Sequence, residues 1–496
     1  MMRNTHDERI EQGSLTSSAQ AVVQNGGRFH MAWGWYPKAD KLEACYLMDG
    51  KSREAFTVWR CEAAGGQLPS LADAVPALSW HEREMSDLCG VHFEGHPKPN
   101  PLVLHAGAKP VRPPLSPGYA VKQAMEFQRE PTAVPDIVGD DVQELPFGPV
   151  RADVMESAQF LFFYLGEHIL HYQPRLFFKH RGMEKRFEGI SADLGVVMAE
   201  RVSGVGSVAH ALAYCQAVEA ACGCKVPARA RALRVVLAEL ERLYNHLHYF
   251  GHLADTTTLK VGNAEGKILE ERLKQINGRL TGSRFLRNVL VPGGLRRDLH
   301  VDALMLSDLG RIQREATGYL AELEKTTSYL DRLITTGHLS KEMAERQGAT
   351  GPVERASGVN YDLRRDHPYA AYDDLNILVA SHSGGDAHAR ALVRAAEVEA
   401  SFAILLRGIA TLPKGEIYAP CDPVPEAEGL GWSESPRGAT FYAVHLDKKG
   451  ALARVKIKSP SFSNWRVFQY TVRDSNMMDY AINEASFGLT IAGCDR

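Results

Sequence analysis

Residues 146–189 read PFGPVRADVMESAQFLFFYLGEHILHYQPRLFFKHRGMEKRFEG, and residues 198–220 read MAERVSGVGSVAHALAYCQAVEA. A Gly-Pro loop leads into LFFYLGEHILHYQPRLFFK, whose apolar residues read as paired strands and then a helix start. Residues 207–221 follow with small apolar side chains at helical spacing, and Gly223 and Pro227 end that helix. A large domain therefore opens near Pro146.

Downstream the pattern is helical. PARARALRVVLAELERLYNHLHYFGH, residues 227–252, carries Leu233, Val236, Leu240 and Leu243 at spacings of three and four. A helix of roughly 25 residues there spans about 37 Å. Further helices are predicted over 269–279, 301–333 and 386–409, with Glu315, Glu322 and Glu324 on a wet outer face of the third. Four such helices imply a bundle-like core with inserted loops. Near the end, ATFYAVHLD, a KKG turn and ARVKIKSP predict a hairpin, and the apolar run FGLTIAGCDR predicts a docked end.

Upstream, the first 24 residues are polar and predict poor order. FHMAWGWYP and AFTVWRCEA alternate as strands, and residues 79–88 read as a short helix capped by Ser79. Six prolines lie between Pro99 and Pro117, which predicts an extended linker and makes 25–105 a separable small α+β module. The expected division is 1–24 poorly ordered, 25–105 small domain, 106–145 Pro-rich linker with a connecting helix, and 146–496 large domain. The fold class is α+β: a small α+β domain joined to a large, mainly helical bundle with peripheral strands.

Composition narrows function. A net charge of −3 gives no field for nucleic acid. No apolar run reaches the length of a membrane span, and the start lacks a signal-peptide core. Eight cysteines in 496 residues fit a reducing compartment better than a disulfide framework. His92 and His96 have metal-like spacing without a third ligand nearby and read as a turn. Cys222 and Cys224 lack the spacing of a CxxC clamp and read as small buried side chains. Gly204-Val-Gly206 and Pro292-Gly-Gly294 lack the strand, loop and acid of a dinucleotide fingerprint.

Ordered boxes carry a resemblance. They are Phe147-Gly-Pro, His180-Arg-Gly-Met-Glu-Lys185, Pro227-Ala-Arg-Ala-Arg231, Ala238-Glu-Leu-Glu-Arg-Leu243, Thr281-Gly-Ser-Arg284 and Pro292-Gly-Gly294. Ser357-Gly-Val-Asn-Tyr-Asp-Leu-Arg364, Lys456-Ile-Lys-Ser-Pro-Ser-Phe462 and Asp495-Arg496 complete the order. On these the large domain resembles the 49-kDa-type subunit of respiratory complex I. It equally resembles the large subunit of membrane-bound [NiFe] hydrogenases, including that of formate hydrogenlyase. Glu82-Arg-Glu84, Asp87-Leu88 and Gly90-Val-His-Phe-Glu-Gly-His96 make the small domain resemble the 30-kDa-type subunit, fused here into one chain.

The resemblance implies a hydrogenase-like fold and a core-subunit role in an oxidoreductase complex. The implied partners are a small iron–sulfur subunit and antiporter-like membrane subunits. The implied place is the cytoplasmic side of the cell membrane, held peripherally through those partners. NAD or quinone would enter only at the level of the whole complex. In the metal-binding relatives two CxxC pairs hold nickel and iron. Here Ser203 and Gly206 stand at the first pair, and Cys494 is the single cysteine in the last dozen residues. Soft metals need thiolates, so no metal or other cofactor bound by this chain is expected, and hydrogenase activity is not expected of it.

For a quinone site of the complex I type, the resemblance places Arg151 and Met155 in the loop that usually carries histidine, and Val202 at the usual tyrosine. Neither replacement supplies a hydroxyl–imidazole pair. Arg151 could pair with Asp153 or Glu156, or meet a polar ligand. His180, Arg181 and His210 are the candidate cavity residues, with Glu184 and Lys185 adjacent. Arg229 and Arg231, with Arg234, open the long helix, where relatives face the iron–sulfur partner, and could tune its cluster. Three functions stay open: a metal-free electron-transfer core subunit, a quinone or small-substrate oxidoreductase with a modified cavity, and a scaffold.

Overall fold

The structure is a computed structural model that describes all residues except 1, 3, 51–54, 106, 121–124, 128–136, 138, 140 and 152–155. Asp153 and Met155 lie outside the described residues.

Alternation of large apolar and polar residues yields three antiparallel strands, β2 (Phe29–Lys38), β3 (Lys41–Asp49) and β4 (Phe56–Glu62). Residues predicted to lack order add to them. A strand over Thr5–Arg9, β1, pairs parallel with β4, giving the order β1-β4-β3-β2, and helix α1 (Leu15–Gln24) buries Leu15 and Ala19. The polar residues that predicted disorder are partners here. Asp7 accepts from Arg60 Nε at 3.0 Å, and Glu8 accepts from Trp59 Nε1 at 2.9 Å.

Both faces of the sheet join cores that continue into the large domain. Met31, Trp33, Cys45, Leu47, Phe56 and Val58 join the core of the large domain, while Ala32, Ala44, Tyr46 and Met48 on the other face join a second core with Phe160, Phe462 and Trp465. Successive side chains leave a strand on opposite faces, so both faces are covered and the small domain shares its interior with the large one. Helix α2 (Ser79–Cys89) starts without a side-chain cap; the Ser79 hydroxyl instead meets His96 Nε2 at 3.3 Å. The proline-rich segment is packed against α2. Val103 and Leu115 are buried, Asp87 accepts from the backbone N–H of Leu102, Val103 and Leu104, and Leu115 N donates to Leu88 O at 2.8 Å.

The large domain begins with an antiparallel sheet of β5 (Gln143–Phe147), β6 (Gln159–Leu165) and β7 (His168–Arg175), with β6 central. No helix starts directly after β7; the next are the one-turn α3 (Met183–Arg186) and α4 (Ala192–Ala199). Then come α5 (Ser207–Cys222), α6 (Ala228–Thr256), α7 (Lys260–Thr281) and α8 (Ala303–Leu323). The helix predicted over 301–333 is broken, and Thr327–Leu333 forms a separate one. The Thr326 hydroxyl takes the Glu322 carbonyl at 2.8 Å, competing with the helix ladder. Helix α7 starts nine residues before its prediction because its glycines weaken the pattern. They serve contact: a Cβ on Gly266 would lie 2.7 Å from Gly251 Cα of α6.

Helix α9 (Ala387–Ala410) packs on α6. The predicted hairpin is the two later strands of a three-stranded sheet, β8 (Glu428–Ser435), β9 (Gly438–Leu446) and β10 (Leu452–Lys458). Glycines hide β8 from sequence reading. A Cβ on Gly431 would lie 2.0 Å from Ala213 O, and one on Gly429 2.1 Å from Ala217 O, so β8 lies directly on the α5 backbone. Helices α10 (Pro460–Val472), α11 (Tyr480–Phe487) and α12 (Ile491–Asp495) complete the mixed α and β architecture. Among the described residues no helix is long and apolar enough to cross a membrane.

Candidate functional site

The resemblance points to two segments: the loop Val202–Gly206 between α4 and α5, and α12, which holds Cys494. Helix α6 fixes the loop. Asn245 Nδ2 donates to Val205 O at 2.8 Å, and the first free N–H groups of α5, at Val208 and Ala209, donate to Glu241 at 2.7 and 2.9 Å. Burial pushes the Glu241 carboxyl up to about 7 against those two hydrogen bonds.

Helix α12 is fixed from the other side. Glu156 accepts from the backbone N–H of Ile491 at 2.5 Å and of Ala492 at 3.1 Å. The Thr490 hydroxyl caps Gly493 N at 3.2 Å. Arg181 then joins the two segments. Its Nη2 donates to Val202 O at 2.6 Å and to Ala492 O at 3.0 Å, and its Nη1 to Arg201 O at 2.9 Å. His180 Nδ1 donates to Asp495 O at 2.7 Å.

The resemblance puts the first pair at Ser203 and Gly206 and the second in the last dozen residues, where Cys494 is the single cysteine. The Cys494 thiol is sealed from solvent, and burial, helped by the adjacent Asp495 carboxylate, pushes it well above the usual thiol range. A Cβ built on Gly493 would lie 3.5 Å from Ser203 Oγ, so the two segments run close to one another.

His210 stands on the first turn of α5 and shares a hydrogen bond with the Tyr442 hydroxyl at 2.9 Å. Burial, with Arg181 and Arg496 nearby, lowers its pKa to about 3, so the imidazole is neutral at physiological pH. Asp495, which the motif reading did not single out as a site residue, holds a buried carboxyl pushed up to about 7, with Oδ2 accepting from Lys179 N at 2.9 Å. His180, Arg181, Ser203 and Cys494 thus meet around one junction, and His210 lies beside Gly206.

Arg151 is held elsewhere. Its expected partners were Asp153 or Glu156. Asp153 lies outside the described residues; among those described, Arg151 forms a two-pronged pair with Glu484 at 3.0 Å on each arm, under the rings of Phe147 and Phe160. Glu156 is committed to α12. Arg229 pairs with Asp298 at 2.9 Å, and Arg231 with Asp373 at 2.7 Å. At 1.5 Å per residue they lie roughly 21 to 24 Å along α6 from Asn245, at the end remote from the loop. His92 is exposed and His96 buried; among the described residues no group of three or more His, Cys, Asp or Glu side chains is arranged to hold a metal ion.

Sequence reading missed a sealed ionic network behind this junction. Arg355 pairs with Glu397 at 2.5 Å and Glu434 at 3.0 Å, Arg364 with Asp362 at 2.8 Å and Glu239 at 3.3 Å, and His246 with Glu397 at 2.8 Å. The signal was present in Glu239 and Arg242, charged residues on the face that α6 turns to the core, but periodicity cannot name their partners.

The profile described as "Respiratory-chain NADH dehydrogenase, 49 Kd subunit" matches residues 268–423 and 420–496, and its 30 Kd counterpart matches 10–124. "Nickel-dependent hydrogenase" matches 181–265. Formate hydrogenlyase subunit 5 of Escherichia coli is 30% identical over 426 residues, covering 83% of this chain and 74% of the relative. The C/D subunit of the NADH-quinone oxidoreductase of Cereibacter sphaeroides is 27% identical over 509 residues, covering 92% and 87%. A chain in the structure of the membrane-bound sulfane sulfur reductase, an archaeal respiratory membrane complex, superposes with a TM-score of 0.67 at 26% identity over 73% of this chain and 100% of that one.

Proposed function

This chain belongs to the family of fused 30-kDa-type and 49-kDa-type complex I subunits that includes formate hydrogenlyase subunit 5, and from that premise we propose that it is a core subunit of a hetero-oligomeric respiratory complex that works without a nickel–iron centre of its own. Its redox neighbour is an iron–sulfur cluster in a partner subunit. Antiporter-like subunits hold the assembly at the cytoplasmic face of the membrane.

One observation carries the metal-free reading. Where the resemblance to metal-binding relatives calls for two pairs of thiolates, this chain has Ser203, Gly206 and the sealed thiol of Cys494, and the Arg181 guanidinium ties the two segments together. Soft metals require charged sulfur donors, and a single thiol held protonated by burial neither fixes geometry nor offsets charge. Arg181 supplies the cross-tie through hydrogen bonds, the neutral His210 and the Asp495 carboxyl remain as proton-handling groups at its edge, and α6 holds the loop.

The test is to purify the native assembly, identify its subunits and measure its metals. Nickel near zero per chain, with iron following the partner's cluster, is the expected result. Stoichiometric nickel that disappears with Cys494→Ser overturns the metal-free reading. A second reading, a scaffold without redox role, draws on the Arg181 cross-tie that joins the two segments. It requires electron transfer by the complex to be indifferent to Arg181→Lys and His210→Gln.

A further inference from the structure

Helix α5 ends at Cys222, and Gly223 turns the chain in the left-handed region (φ 72°), so Cys222 and Cys224 stand on either side of the helix end. The segment Ile417–Cys421 faces them. It is laid as an extra strand on the short hairpin of Leu290–Val291 and Gly294–Leu295: Ala419 N donates to Gly293 O and Leu295 N to Ile417 O, both at 2.9 Å. A Cβ on Gly293 or Gly294 would meet Ala419 O or Ile417 O at 2.0 Å, so that approach requires glycine. Glu219 ties the hairpin to α5, accepting from Gly293 N at 2.8 Å and from Arg234 Nη2 at 2.5 Å.

This clip delivers a third cysteine to the helix end. Cys224 Sγ lies 3.6 Å from Pro420 O and 3.9 Å from Ala419 O. The Cys421 thiol is within hydrogen-bonding reach of both the Cys222 and the Cys224 sulfurs. All three are unbridged and half-buried, unlike the sealed Cys45, Cys89, Cys215 and Cys494. Two thiols from positions far apart in sequence, brought together by rigid elements and open to solvent, have the arrangement of an exchangeable pair rather than of core filling.

We propose that Cys222 and Cys421 are a reversible dithiol–disulfide pair that exchanges with low-molecular-weight disulfides such as glutathione disulfide, and that closing it locks the end of α5 to the 417–421 segment. The Cys222 thiolate attacks one sulfur of the external disulfide, whose S–S bond breaks; the departing thiolate takes up the proton that Cys222 released. Cys421 then loses its proton and attacks the Cys222 sulfur, expelling the second external thiolate, which takes that proton. The two cysteines are oxidised by two electrons, and one external disulfide is reduced to two thiols. A thiol pool reverses the step. The hydrogen bond with Cys222, together with burial, pushes the Cys421 thiol up.

The experiment equilibrates the native full-length protein, in its complex, across glutathione redox buffers, blocks free thiols by alkylation and maps tryptic peptides by mass spectrometry. The expected result is a Cys222–Cys421 cross-link that appears with the oxidised buffer, disappears on reduction, persists in Cys224→Ser and is absent in Cys222→Ser and Cys421→Ser. The wild-type map stands without the variants, so a misfolded variant leaves the test intact. Free thiols throughout, glutathione adducts without an internal bridge, or a link that survives Cys222→Ser overturns the assignment.

Discussion

The guanidinium of Arg496 donates to Glu84 Oε1 at 2.6 Å across 412 residues of sequence. Glu84 lies on α2, in the small domain, and it also takes Lys456 Nζ at 2.5 Å; Glu184 completes the group with Arg454 at 2.8 Å and Arg496 at 3.4 Å. All five side chains are buried. The small domain is therefore tied to the large one by charge as well as by shared apolar faces. Removing one member of a buried group leaves an uncompensated charge and costs about 3–5 kcal/mol. Glu84→Ala should lower the melting temperature, and both domains should melt in one calorimetric transition. Two transitions, only one of them moved by the variant, would show that the domains are independent.

Arg181 holds the carbonyls of Arg201, Val202 and Ala492. A buried polar group left without a partner costs about 1–3 kcal/mol. Arg181→Ala should destabilise the fold by that order and speed amide hydrogen exchange over 201–206 and 491–496, leaving α7 unchanged. Arg181→Lys keeps the charge but not the planar fork and should give partial protection. Equal exchange in wild type and both variants would remove Arg181 from its role as cross-tie.

His210 makes stability depend on pH. Its pKa is 6.5 when unfolded and about 3 when folded, so between those values the unfolded state binds the extra proton. The stability is intact above about 6.5 and falls as pH drops toward 3; His246, lowered to about 4 by burial despite Glu397, acts in the same direction. Denaturation midpoints followed from pH 7 to pH 4 should fall less steeply for His210→Gln than for wild type. Identical slopes would contradict the buried, neutral imidazole.

Two glycines should respond in opposite ways to alanine. A Cβ at Gly431 would lie 2.0 Å from Ala213 O and 2.5 Å from Ala217 N, both backbone atoms of α5. Gly431→Ala should cost upward of about 1–3 kcal/mol and reduce the yield of folded protein. Gly318, within α8, has nothing within 4 Å of a Cβ, and Gly318→Ala should stabilise by about 0.5–1 kcal/mol. Chemical denaturation of the pair reads both signs; a harmless Gly431→Ala would mean that β8 does not lie on α5.

Local chemistry is what the sequence determined. Period-two runs marked β2 to β4 and β9 to β10, period-3.6 runs marked α5, α6 and α9, and the ordered boxes named the family. The identities of Ser203, Gly206 and Cys494, where the resemblance expects ligands, were legible too, because a donor's chemistry is a property of one residue. Elements whose residues look wrong in isolation were not legible. Strand β1 reads as disordered until Arg60 and Trp59 receive its acids, and β8 reads as loop until its glycines are seen against α5. Partner choice belonged wholly to the tertiary structure. Arg151 took Glu484, more than three hundred residues away, and Glu156 took the N–H groups of α12. Arg181 spans two segments that the chain brings together from nearly three hundred residues apart. Periodicity tells which face of an element is buried, but a charge on that face is stable only opposite a specific counter-charge or carbonyl, and packing alone decides which one arrives.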